Sequence, residues 1–261
     1  MQQDNYKTIS ILSCGWLGES LAIDLLQKGR RVKGSTTSLD KKERLSEKGI
    51  EAYKLRFEDL NNDMLAFLNS DILVMNLTIK GIELYKQFLP LLEQSTIQKL
   101  ILISSTGVYK NSEKPVDENS DLSESPWVAI ENLMKDNENY QTTILRFSGL
   151  FGGNRKPGNF LSGKKVKNAE APVNLIHRDD CIQIINEIIK QNVWEECFNC
   201  TADTHPSKKE FYTKAADVIG VDRPLFDEEE GINTSFKLIT NDKLKRRLNY
   251  EFIHPDLMEV L

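Results

Sequence analysis

The chain has 261 residues, 39% hydrophobic and 28% charged, the balance of a globular protein large enough for one big domain or two smaller ones. Its net charge is −5 and its basic runs, at 164–167 and 243–247, are short, which argues against a nucleic-acid partner. No apolar stretch approaches the roughly 20 residues of a membrane span, and the polar residues Met1–Asn5 lead directly into an apolar strand, so the expectation is a cytoplasmic protein with no membrane partner.

Residues 8–12 are apolar and β-branched and predict a strand. Apolar positions at helical spacing over 16–28 predict a helix that stops before Gly29. A short strand follows at 31–34, a charged helix at 39–48 ending at Gly49, and a third strand around 50–55. Asp71–Leu77 and Leu100–Ser104 are strands apolar on both faces, with a helix at about 82–95 between them. Such strands alternating with helices predict an α/β protein, a Rossmann-type doubly wound parallel sheet covered on both sides.

The pattern then changes. Residues 105–126 read as a polar loop, 127–138 as a helix and 142–147 as a strand. Residues 148–172 hold five glycines and two prolines, a loop whose length suggests function. A strand near 173–176, a helix at 180–191, a strand at 196–201 and helices at 207–219 and 241–248 complete the chain. The expected division is a nucleotide-binding domain over 1–150 and a smaller, mixed substrate-binding part over 151–261, with 173–201 returning partly to the sheet.

The first strand–helix junction reads Ser13-Cys14-Gly15-Trp16-Leu17-Gly18, a G-x-G-x-x-G pattern with serine in the first glycine position. The middle glycine lets backbone approach a pyrophosphate, the last lets helix pack on sheet, and the helix N-terminus offers N–H groups to the phosphates. Trp16 either covers the pyrophosphate or fills the gap between helix and sheet. An NAD-type site expects an acid about 20 residues on, but that stretch reads Ser35-Thr36-Thr37, with Lys33, Lys41, Lys42 and Arg44 nearby. The cofactor expectation is therefore NADP(H) over NAD(H).

The four cysteines are Cys14, Cys181, Cys197 and Cys200. Cys197 and Cys200 have CxxC spacing without a second pair, and on a strand they face opposite ways, so reduced thiols and no metal site are expected.

Together with the Gly15–Gly18 turn, Ile103-Ser104-Ser105-Thr106-Gly107-Val108-Tyr109 resembles the S-S-x-x-V-Y-G pattern of extended short-chain dehydrogenases, the NAD-dependent epimerase/dehydratase superfamily. Residues 144–152, Val173–Asp180 and Phe198–Cys200 resemble further segments of that family in its order, and Gly15–Gly18 with Gly34–Thr37 is most similar to its atypical, YeeZ-like branch. The resemblance implies Ser105, Thr106 and Tyr109 as candidate catalytic residues, with Leu77, Thr78 and Ser104 contacting cofactor. It places Leu150, Phe151, Arg155 and His177 on the substrate side, the substrate being a small molecule of the sugar or nucleotide-sugar class. Family members are often homodimers.

One departure is plain. The family uses a Tyr-x-x-x-Lys pair for proton transfer. Anchoring on Glu131 puts its lysine position at Trp127 and its tyrosine position at Ser123. Three readings follow: an NADP(H)-dependent reductase, epimerase or dehydratase with another proton donor, a non-catalytic NADP(H)-binding sensor, and a degenerate fold kept as scaffold. For His177 alone, a hydrogen-bonded structural residue at a strand end competes with a substrate role. Asp179 and Asp180 read as N-terminal caps of the following helix.

Overall fold

The computed structural model describes residues 6–227 and 236–261; the polar leader Met1–Asn5 lies outside the described residues. The chain begins β1 (Thr8–Leu12), α1 (Trp16–Gln27), β2 (Arg31–Thr36), α2 (Leu39–Glu47), β3 (Glu51–Lys54), α3 (Asn62–Phe67), β4 (Ile72–Met75), α4 (Ile82–Glu93) and β5 (Lys99–Ser105). There follow α5 (Pro126–Lys135), β6 (Gln141–Phe147), β7 (Gly149–Phe151), β8 (Lys165–Val166), β9 (Leu175–His177), α6 (Arg178–Gln191), β10 (Cys197–Cys200), α7 (Lys208–Ile219), β11 (Leu225–Phe226) and α8 (Asp242–Leu248).

Seven strands form one sheet in the order β10-β6-β5-β4-β1-β2-β3. The pairs β1·β2, β1·β4, β2·β3 and β4·β5 are parallel, with Ile9 between Val32 and Ile72. This is the expected Rossmann-type doubly wound sheet. All four residues of β4 are buried, which is why its sequence is continuously apolar rather than alternating. The order reverses between β1 and β4, and ligands bind beyond the carboxyl ends of the strands at such a switch point. Among the described residues, no helix is long and apolar enough to cross a membrane.

Two compact units share the chain. The first comprises residues 1–104, 124–145 and 184–197; the second 105–123, 146–183 and 198–261. β5, β6 and β10 each contain residues of both units. The first unit's core is Ile9, Ile11, Leu21, Leu25, Ile72, Val74, Leu100 and Ile101, all essentially inaccessible. The second is built on Phe151, Val173, Leu175, Ala202, Phe211 and Leu257.

Several elements differ from the sequence expectation. α3 was not expected; it is six residues long, too short for a periodic signal, and is started by Asn61, whose side chain accepts from Asp63 N and Met64 N. The loop at 148–172 contains β7 and β8, two or three residues each. Of the segment 173–201, only β10 joins the central sheet, since β9 pairs with β7 in a separate two-stranded sheet.

Candidate functional site

The turn after β1 shows how serine replaces the motif's first glycine. Ser13 adopts the left-handed conformation, φ +78°, at a cost of about 1 kcal/mol for a residue with a Cβ. Its N–H donates to Ser35 Oγ at 2.8 Å, and its carbonyl accepts from Asn76 Nδ2 at 3.1 Å. Neighbouring strands thus hold the strained residue. Gly18 is required by packing, because a Cβ there would lie 2.4 Å from Ser13 O. Gly15 is different: a Cβ would meet no atom nearer than 4.0 Å. Its lack of a side chain keeps space open beside the start of α1, where it is the N-cap. Cys14 is buried beside Gly34, and burial pushes its thiol up to about 12, so it stays protonated.

Beyond β1, β2 and β3 lies a cleft of about 510 Å³ within the first unit. Of the expected cofactor residues, Ser13, Gly15, Ser35, Thr36, Thr37, Leu77 and Thr78 line it. Trp16, Leu17 and Gly18 do not; they form the first turn of α1, with Leu17 and Gly18 buried. Ser104 is buried at the end of β5, its hydroxyl on the Glu131 carboxylate. Ser35 lines the cleft with its hydroxyl already used by Ser13 N–H. The basic residues also sort. Lys33 is buried and donates to the Ala66 and Asn69 carbonyls, away from the cleft. Lys42 and Arg44 do not line it, whereas Lys41 does, 3.1 Å from Glu19.

Sequence reasoning missed Arg56, Phe57 and Glu58, which line the cleft just after β3. The signal available was position: they follow the carboxyl end of a parallel strand. Two cations, Lys41 and Arg56, and one carboxylate, Glu58, therefore border the space where β2 ends without an acid.

In the second unit, Ser105 Oγ accepts from Gly107 N at 3.0 Å and opens the 3₁₀ turn Thr106–Val108, leaving Ser105 and Thr106 half-buried. Tyr109 is buried. Its hydroxyl donates to Asn199 Oδ1 at 2.7 Å and accepts from Arg146 Nη1 at 2.7 Å. That places Tyr109 in an interior polar network, where a proton donor to substrate is not expected. Ser123, at the family's tyrosine position, donates its hydroxyl to Val108 O at 3.0 Å. Trp127, at the lysine position, is buried in the first turn of α5, in the first unit.

On the expected substrate side, Phe151 and His177 line a small cavity of about 80 Å³ with Lys156, Ile219 and Leu261. Leu150 and Arg155 do not line it; Arg155 is exposed and lies over the Phe160 ring. His177 packs edge-on to Phe151 and against Gly152, whose φ is +116° and whose Cβ would lie 2.4 Å from His177 Nε2. Burial, and then the neighbouring His254, push the His177 pKa down to about 4, so it is neutral at pH 7. His254 was not anticipated because it is 77 residues distant in the chain.

No protein-family model matches the chain. Protein YeeZ of Escherichia coli (strain K12) is 30% identical over 96% of this chain and 97% of its own length. Two solved structures share the fold at low identity. UDP-glucose-4-epimerase from Stenotrophomonas maltophila, with bound NAD and formylated UDP-arabinopyranose, has a TM-score of 0.81 at 15% identity over 98% of this chain and 96% of that one. A short-chain dehydrogenase/reductase superfamily protein from Agrobacterium tumefaciens with bound NAD has a TM-score of 0.76 at 15% identity over 97% and 95%.

Proposed function

The chain belongs to the family of Protein YeeZ, and we propose that it is an atypical extended short-chain dehydrogenase/reductase that binds a nicotinamide dinucleotide in the first unit's cleft, preferring NADP(H), and acts as an oxidoreductase or epimerase on a nucleotide-sugar. The observation that carries the reading is Gly15. It lines a cleft of about 510 Å³ at the start of α1, and nothing in the protein occupies the space its side chain would take. The residues fit the cofactor: Gly15 and the first turn of α1 would hold the pyrophosphate, and Leu77 and Thr78 would border the dinucleotide. Lys41 and Arg56, with no acid among Ser35, Thr36 and Thr37, would accept a 2′-phosphate. The bound cofactor would supply hydride transfer. Ser105 and Thr106 would hydrogen-bond a substrate hydroxyl or carbonyl. The nucleotide-sugar reading draws support from the Stenotrophomonas epimerase.

A second reading is a non-catalytic NADP(H)-binding sensor. It is favoured by Ser123 and Trp127 at the Tyr-x-x-x-Lys positions and by the buried, doubly hydrogen-bonded Tyr109 hydroxyl.

Titration with NADPH and NADH, followed by nicotinamide fluorescence, tests the cofactor. NADPH should bind more tightly, and Arg56→Ala and Lys41→Ala should each weaken NADPH by about tenfold, the scale of one exposed to part-buried charge contact, while leaving NADH unchanged. Equal affinities would remove the phosphate argument, and no binding of either would remove the cofactor reading. Turnover of a nucleotide-sugar that Ser105→Ala abolishes would exclude the sensor. Tight binding with no turnover over a broad panel would favour it.

A further inference from the structure

A histidine and an aspartate at the start of α6 meet a second histidine about 75 residues further along the chain, and the proposed dinucleotide chemistry has no use for the three as a group. His177 ends β9, Asp179 is in the first turn of α6, and His254 follows α8. Asp179 Oδ2 lies 3.6 Å from His177 Nδ1 and 3.8 Å from His254 Nε2. One ligand atom from each of the three lies within 4.8 Å of the others. All three residues belong to the second unit.

The surroundings hold this arrangement in place. Asp180 is completely buried, and its carboxylate accepts from Tyr250 Oη at 2.8 Å, Ile253 N at 2.7 Å and His254 N at 3.1 Å. One side chain therefore ties the segment carrying His254 to the turn of helix carrying Asp179. On the other side, Gly152 and Phe151 fix the His177 ring, and the two imidazoles lie with centroids 4.0 Å apart at 66°. Arg178 Nε lies 3.5 Å from Asp179 Oδ1, the carboxylate oxygen other than the one that faces the histidines.

From this geometry we infer that His177, Asp179 and His254 form a binding site for a divalent transition ion of the zinc class. Two imidazole nitrogens and a carboxylate oxygen suit that class better than calcium or magnesium, which take oxygen ligands. With metal–ligand bonds of about 2.0–2.1 Å, a tetrahedral ion places its ligands roughly 3.4 Å apart. Closing the 3.6 and 3.8 Å separations of Asp179 Oδ2 from the two histidines needs only a few tenths of an ångström, and the two imidazole nitrogens, within 4.8 Å of one another, close on the ion by rotation of the rings. The long hydrogen bond from Asp179 N to His177 Nδ1, 3.3 Å, is what the ion replaces. Asp179 is part-exposed, its side chain 45% accessible, so a fourth position is open to water. The nearby Arg178 cation makes this a weaker site than a closed four-ligand one.

The full-length protein, stripped with a chelator, is titrated with ZnCl₂ against a chromophoric zinc indicator, and separately with CoCl₂ followed by its visible absorption. One equivalent should bind per chain, and zinc should raise the melting temperature. His254→Ala and Asp179→Asn should each weaken binding by about tenfold or more, with circular dichroism reporting that each variant is folded. The cobalt bands should change in both variants, and Cys197→Ser should leave them unaltered. Absence of saturable binding overturns the inference. So does binding that survives His254→Ala and Asp179→Asn, or that Cys197→Ser abolishes. None of these outcomes depends on cofactor or turnover, so the inference stands apart from the dinucleotide reading.

Discussion

Gly15 and Gly18 sit three residues apart in one motif and serve different masters, ligand and packing. Gly18→Ala brings a Cβ against Ser13 O, a backbone atom that cannot move aside. Its urea midpoint should fall by an amount equivalent to about 1–3 kcal/mol. Gly15→Ala meets open space at a helix N-cap, so stability should change by less than about 1 kcal/mol while dinucleotide binding is lost. If Gly15→Ala bound the cofactor normally, the cleft would not be the pyrophosphate site. His177 offers a second check at this scale. Its folded pKa of about 4 lies below the ordinary value of 6.5, so the folded state binds the proton less readily than the unfolded chain. The corresponding stability is complete above pH 6.5 and is lost as pH falls from there towards 4. The groups acting on it are His254, Asp179, Arg178 and Lys156. In metal-free buffer, proton NMR should show the His177 ring neutral at pH 5.5, and His177→Gln should flatten the decline in melting temperature between pH 6.5 and 4. A ring titrating near 6.5 would contradict the packing described.

At the scale of elements, the 3₁₀ turn after β5 is joined to the ends of β6 and β10 by Tyr109, Arg146 and Asn199. Tyr109→Phe keeps the ring but leaves Arg146 and Asn199 each short of one buried partner. The expected destabilisation is about 1–3 kcal/mol, read by denaturant unfolding, with any turnover largely retained. A variant as stable as the parent but inactive would instead return Tyr109 to the list of proton donors. The helices show what local sequence can and cannot announce. α7 is legible because Ser207 and Glu210 form a capping box and Gly220 closes it at φ +71°. α3, β7, β8 and β11 are too short to carry a periodic signal and exist because the surrounding structure pairs or covers them.

Across the whole molecule, the parallel centre of the sheet should be its most persistent part. β1, β4 and β5 are flanked by strands on both sides and almost wholly buried, whereas β3 is an edge strand and only half-buried. Native-state hydrogen exchange should find Ile11, Val74 and Ile101 among the slowest amides and Tyr53 markedly faster. Equal protection would mean that the sheet opens only as a unit. The sequence by itself determined the fold class, the strand–helix alternation and the glycine turn, because periodicity, apolar runs and capping residues act over a few neighbouring positions. It also showed that Ser35, Thr36 and Thr37 stand where an NAD-type site has an acid and that the Tyr-x-x-x-Lys pair is missing. Tertiary structure alone decided that Ser13 takes a glycine's conformation, held by Ser35 and Asn76, and that Lys33 turns away from the cleft while Arg56 borders it. It likewise buried Tyr109 and set His254 beside His177. Each of these depends on contacts between residues tens of positions apart, and no local pattern records which distant backbone a side chain will meet.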